Sequence, residues 1–198
     1  MRYNTLLKKG VECSGVAGGW FRQVMIAWLF LFLSSCASGA YAMEREYAIK
    51  AAFLYNFLNY IEWPNLHNMS GRVKVRLCVV GKNPFDGALT ALEKKVSAEW
   101  DLDVEYIATD YQSPAPVCHI AFISDLELEY ATAVKSLSSS GVLTVSDIKG
   151  FARDMGIIEF AKYKDKIKLI INADRLEAAD LKASSKLMRI SEIVRSGD

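Results

Sequence analysis

Val117 to Ser124, reading Val-Cys-His-Ile-Ala-Phe-Ile-Ser, is apolar at nearly every position, and it restricts the fold more than any other stretch of the chain. A strand with no polar side must be covered on both faces, as strands of parallel sheets are. Its neighbours fit the same sheet. Val73 to Val80 sets Val73, Val75, Leu77 and Val79 against Lys74, Arg76 and Cys78, the two-residue period of a strand. Further strands are expected over Leu102 to Ile107, Gly141 to Ser146, Gly156 to Tyr163 and Lys166 to Ile171. The last two meet at Lys164-Asp165, so they form an antiparallel hairpin.

Helical spacing fills the intervals. Ile49, Phe53, Phe57 and Tyr60 recur every three or four residues beside Ala52, Leu54, Leu58 and Ile61, which predicts a helix over residues 44 to 61 that Trp63-Pro64 then stops. Gly81 to Pro84 reads as a turn, with Pro84 opening a helix to about Lys95. Asp125 caps a helix to about Leu137, and helical pieces over Ala173 to Leu181 and Ser184 to Val194 finish the chain. Strands separated by helices imply parallel pairs with right-handed crossovers. The expected fold is therefore α/β: one domain with a mixed, mostly parallel sheet flanked by helices, and a C-terminal antiparallel hairpin.

The first 42 residues do not fit that plan. Arg2, Lys8, Lys9 and Arg22 precede an apolar run from Val24 to Leu33, and small residues then lead to Ala40-Tyr41-Ala42. A basic segment, a short apolar segment and an A-x-A site are the parts of a secretory leader, and the run falls short of the about 20 residues that a bilayer requires. Residues 1–42 are thus expected to be a signal peptide and residues 43–198 the working domain, located in the periplasm. Leu33-Ser34-Ser35-Cys36 also fits a lipoprotein box, in which Cys36 would be acylated.

Loss of the leader leaves 20 bases against 22 acids, a net charge of −2. No basic stripe remains to follow a phosphate backbone, so nucleic acid is not an expected partner. Two cysteines survive, Cys78 and Cys118. In an oxidising compartment such a pair tends to be joined, and closing a loop of this length stabilises a fold by roughly 4 kcal/mol. Two buried thiols, or a metal site with His119, are the alternatives.

Catalytic constellations are missing from the pattern. With only His67 and His119, and no G-x-S-x-G elbow, a hydrolase triad has no evident base beside a nucleophile. A histidine inside a strand is more often bonded to backbone. Gly81-Lys82-Asn83-Pro84-Phe85-Asp86-Gly87 lacks the Gly-Lys-Ser/Thr ending of a phosphate loop, and Pro84 removes an amide donor. Neither a cofactor nor a metal is expected. An exported binding domain is the reading the residues alone support.

Four segments together resemble the YfiR family of periplasmic proteins. They are Ile49 to Phe57 with Glu62-Trp63-Pro64; Leu77 to Gly81 with Asn83-Pro84-Phe85; Cys118 to Ser124; and Val142 to Asp147 with Gly150-Phe151. Ile171-Asn172 and Leu181 to Leu187 add to them. The resemblance implies a non-catalytic negative regulator that holds a membrane diguanylate cyclase inactive through its periplasmic domain, and so lowers cyclic-di-GMP signalling and biofilm formation. It also implies a homodimer, an outer-membrane lipoprotein that titrates the regulator away, and an inter-strand disulfide between Cys78 and Cys118. A second cysteine pair found in some relatives has no counterpart between Ser146 and Gly156.

Two surfaces are candidates for function. Tyr55, Tyr60 and Trp63 of the first helix region, with the Leu187, Met188, Ile190 and Ile193 stripe, are the expected partner contacts. If the domain instead senses a small ligand, the carboxyl ends of parallel strands are the place for it: Gly81, Asn83, Phe85, Asp125, Ser146 and Asp147.

Overall fold

The computed structural model describes residues 37–64, 66, 71–95, 99–107, 117–124, 141–164 and 166–197, with residues 37–42 as backbone alone. By its contacts the chain divides into two units, Met1–Ala42 and Met43–Asp198, and every described strand belongs to the second. The elements are α1 (Ala37–Tyr60), β1 (Ile61–Glu62), β2 (Val73–Val80), α2 (Ala88–Glu93), β3 (Trp100–Ile107), β4 (Ile120–Ile123) and β5 (Leu143–Ser146). They continue with α3 (Phe151–Asp154), β6 (Ile158–Tyr163), β7 (Lys166–Asn172), α4 (Ala173–Ala178), β8 (Lys182–Ala183), α5 (Ser185–Ile190) and β9 (Ser191–Val194).

Seven strands form one sheet in the order β3-β2-β4-β5-β6-β7-β9. From β3 to β6 every pairing is parallel. The hairpin then reverses direction through Tyr163 opposite Lys166, and β9 closes the far edge parallel to β7. A separate ribbon pairs β1 with β8 through Ile61 opposite Ala183. The fold is the mixed α/β single domain that the strand and helix spacing predicts.

Alternation along the strands sorts the core into two clusters. Val73, Val75, Leu77 and Val79 face α1 together with Ile120, Phe122, Leu143 and Val145, whereas Cys78, Val80, Ala121, Ile123 and Phe151 pack on the opposite face. On the first face, Phe160 stacks on Phe57 at 6.1 Å between ring centroids and lies 5.9 Å from Phe53, so the aromatic residues of α1 dock the helix onto the sheet. Burying each such ring fully is worth roughly 2 to 3 kcal/mol.

Several boundaries differ from the sequence expectation, each for a physical reason. The helix expected from Pro84 begins at Ala88, because Asn83 Oδ1 accepts the Phe85 amide in a turn and Asp86 takes the left-handed region at φ 46°. β4 is shorter than the apolar run, which starts with Val117 exposed. Ser184 caps α5, but the helix stops at Ile190, and residues 191 to 194 extend as β9 rather than continuing the helix. There the exposed ladder of β7 offers backbone partners that outweigh local helix propensity. On α1 the buried stripe runs through Lys50, Ala51, Leu54, Phe57 and Leu58 and passes into Ile61 of β1, leaving Ile49 exposed. The leader up to Cys36, His67 and the helix expected from Asp125 lie outside the described residues.

Cys78 and Cys118 are joined by a disulfide, with Cα atoms 5.9 Å apart, tying β2 to the residues that lead into β4. The bond excludes the metal alternative. Next to it, His119 Nδ1 accepts the Arg76 amide at 3.0 Å, and the His119 amide donates back to the Arg76 carbonyl at 2.9 Å. Burial, and then the Arg76 charge, push this imidazole below its ordinary value of 6.5. His119 is thus a neutral structural histidine.

Candidate functional site

β6 is paired to β5 only through Ile158 and Glu159, so the hairpin overhangs the end of β5. The chain leaving β5 through Asp147 and Gly150 forms one wall below that overhang, and the middle of α1, Glu46 to Lys50, forms another. Between them lies a recess of about 600 Å³. It opens at the carboxyl end of a parallel strand, where doubly wound sheets bind ligands.

A compact ion cluster lines its α1 side. Lys50 is buried on the apolar stripe of α1, and its Nζ lies 2.7 Å from Glu46 Oε1 and 2.6 Å from Asp147 Oδ2. The same Asp147 oxygen accepts the Tyr47 hydroxyl at 2.8 Å, and Lys50 Nζ stands 4.1 Å from the centre of the Tyr47 ring. Lys162, on the hairpin, reaches Glu46 Oε2 at 2.7 Å. Three elements are thereby locked together by charge. Burial and the hydrogen bond to Asp147 push the Tyr47 hydroxyl far above its ordinary value of 10.0, so it stays protonated and donates. Burial opposes ionisation of Glu46, but the hydrogen bonds from Lys162 and Lys50 prevail and hold its carboxyl below the usual 4.5. With its ammonium held by two carboxylates, Lys50 serves as a fixed charge rather than as a nucleophilic amine.

Asp147 alone, of the residues expected in a ligand site, lines the recess. Ser146 is buried beneath it, its hydroxyl donating to the Ile123 carbonyl at 2.6 Å and accepting the Ile148 amide at 3.1 Å. Phe85 belongs to the core, edge-on to Tyr47 at 5.5 Å and to Phe122 at 4.7 Å. Gly81, with φ 92°, makes the turn after β2 and donates its amide to the Ile107 carbonyl, and Asn83 forms the exposed turn beside it. Asp125 lies outside the described residues. Glu46, Tyr47, Lys50, Lys149, Arg153 and Lys162 are among the other residues that line the recess, and they were not singled out for it from sequence.

The expected partner contacts separate by burial. Trp63 and Leu187 are core residues, 3% and 2% exposed, which corrects their assignment to a contact surface. Tyr55 and Tyr60 are half-buried, with the ammonium groups of Lys95 and Lys186 at 4.7 and 6.0 Å from their rings. Met188 packs partly against the core. Ile190 and Ile193 are 65% and 40% exposed, and they lie on α5 and on the edge strand β9, not on one helix.

Among the described residues no helix is long and apolar enough to cross a membrane, and no group of three His, Cys, Asp or Glu side chains is placed to hold a metal. No curated protein matches the chain significantly. The family model described as YfiR/HmsC-like matches residues 47–192, from the cluster residue Tyr47 through all seven strands of the main sheet to Glu192 in β9. The chain belongs to the YfiR/HmsC-like family.

Proposed function

We propose that the protein is an exported, non-catalytic regulator that binds the periplasmic domain of a membrane diguanylate cyclase, favours its inactive conformation and so lowers cyclic-di-GMP. The family match across residues 47–192 carries this reading. A repressor of this kind acts only through differential affinity for two states of its target, so it needs a docking surface and no reaction centre. Ile190 and Ile193, exposed at the end of α5 and on the edge strand β9, supply apolar area for such contact. Assembly as a homodimer and release by an outer-membrane lipoprotein belong to the same proposal.

Deleting the gene should raise cyclic-di-GMP and surface attachment, and the rise should vanish in a strain that also lacks the partner cyclase. Unchanged cyclic-di-GMP, with no cyclase recovered by pull-down from membranes, would sink the proposal. A second reading rests on the recess itself, a pre-formed cavity with buried charges at a strand end: a sensor of a small ligand. The two readings are separable, since a sensor would tolerate charge at Ile190 and Ile193 and lose function when the recess is filled.

A further inference from the structure

We infer that Glu93 guards one edge of the main sheet: its carboxylate occupies the backbone of β3 and keeps a second copy of this chain from adding its own β3 there. Among the described residues β3 is a terminal strand, eight residues long and paired to β2 alone. A long edge presents a row of N–H and C=O groups that templates pairing with another chain. The register fixes which groups these are. The Glu99 and Ile107 carbonyls accept the Val73 and Gly81 amides, so odd-numbered residues turn their backbone groups to β2, and Trp100, Leu102, Val104 and Tyr106 turn theirs outward. Glu93 Oε1 accepts the outward Val104 amide at 3.0 Å. That oxygen stands where the carbonyl of an added strand would have to stand.

Nothing local explains an acid at this position. Glu93 is the last residue of α2, where the exposed carbonyls of a helix end disfavour negative charge. Among the described residues its carboxylate has no ion pair, and the Val104 amide is its hydrogen-bond partner. The acids of β3 give weaker protection because they are matched within the sheet, Asp103 by Lys74 and Arg76, and Glu105 by Arg76. Tyr106 adds an aromatic ring to the outward row and is 47% exposed. Without Glu93, two copies of β3 running antiparallel about a two-fold axis exchange their outward bonds, each strand supplying what the other lacks. The homodimer of the proposed function therefore uses another surface.

Sedimentation velocity of the purified protein compares wild type, Glu93→Gln, Glu93→Ala and the double variant Glu93→Ala/Tyr106→Pro at matched concentrations. Glu93→Gln keeps an oxygen for the Val104 amide and should match wild type. Glu93→Ala should associate beyond the wild-type state, in a step about tenfold or more tighter than any further association of wild type. Tyr106→Pro removes an outward N–H without touching a bond to β2, so it should abolish that step in the double variant. A Glu93→Ala variant that sediments as wild type does, or a further step that survives Tyr106→Pro, overturns the inference. If Glu93→Ala does not fold, hydrogen exchange of the wild type decides. The Val104 amide should exchange about tenfold or more slowly than the outward Tyr106 amide, and equal rates overturn the guard.

Discussion

Lys50 shows what a single residue can reveal and conceal. It interrupts an otherwise apolar stripe that continues through Ala51, Leu54, Phe57, Leu58 and Ile61, and a lysine in that position needs a buried partner. The need is legible in the sequence. The partner is not, because Asp147 lies 97 residues away and reaches Lys50 only after β5 and α1 have packed on each other. Lys50→Met keeps the stem's volume but leaves the carboxylates of Glu46 and Asp147 facing each other, so it should destabilise the domain by about 3 kcal/mol in urea unfolding at neutral pH. A loss below about 1 kcal/mol would show that the cluster is solvated rather than structural. Gly156 makes a comparable case from packing. A Cβ built there would lie 1.9 Å from the Phe151 ring, and that ring is buried in the core of the second face. Gly156→Ala should therefore lower stability by about 2 kcal/mol or more, and differential scanning calorimetry against the wild type would measure it.

At the scale of elements, strands and helices were readable wherever period and length agreed, as in β2 with its strict alternation and α1 with its docking aromatics. Reading failed at the ends. Ser184 caps a helix and Leu187, Met188 and Ile190 continue its period, yet β9 follows because β7 would otherwise present an unpaired edge. No local signal in residues 191 to 194 reports that edge. The stripe of candidate contacts accordingly splits into buried Leu187 and exposed Ile190 and Ile193. Ile190→Asp and Ile193→Asp, placed at exposed positions, should change stability by no more than about 0.5 kcal/mol. If this corner contacts the cyclase, the same changes should raise cyclic-di-GMP as deletion does. Cys78 and Cys118 act on the opposite side of the sheet by joining two parallel neighbours across a sequence separation of 40. Cys118→Ser should cost about 2 to 5 kcal/mol of stability, read from denaturant midpoints under oxidising conditions. Identical midpoints for the oxidised and reduced wild type would remove the bond from any structural role.

For the whole molecule, the parallel pairings and the terminal hairpin were legible from strands separated by helices and from the Lys164-Asp165 turn, whereas the recess depends on an overhang that no single segment encodes. It arises because β6 outlasts β5, and strand lengths relative to one another are a property of the assembled sheet. The same assembly fixes how stability responds to pH. His119, half-buried beside Arg76, has its acidity raised by folding, so below 6.5 the unfolded chain binds the proton more readily than the native one. Stability should then fall as pH drops from about 7 towards 5. Glu46, held below 4.5 by Lys162 and Lys50, adds a second loss of the same sign at lower pH, because protonation releases both ammonium groups. Neither group contributes to a decline on the alkaline side of neutrality. Melting temperatures recorded from pH 8 to pH 3 should therefore show a plateau followed by two descending steps. His119→Asn, whose amide oxygen accepts the Arg76 amide at every pH, should lose the first step alone, and Glu46→Gln should reduce the second, to which Asp103 and Glu192, likewise held below their usual values, also contribute. A first step that survives in His119→Asn would mean that another group titrates there, and the neutral assignment of His119 would have to be abandoned.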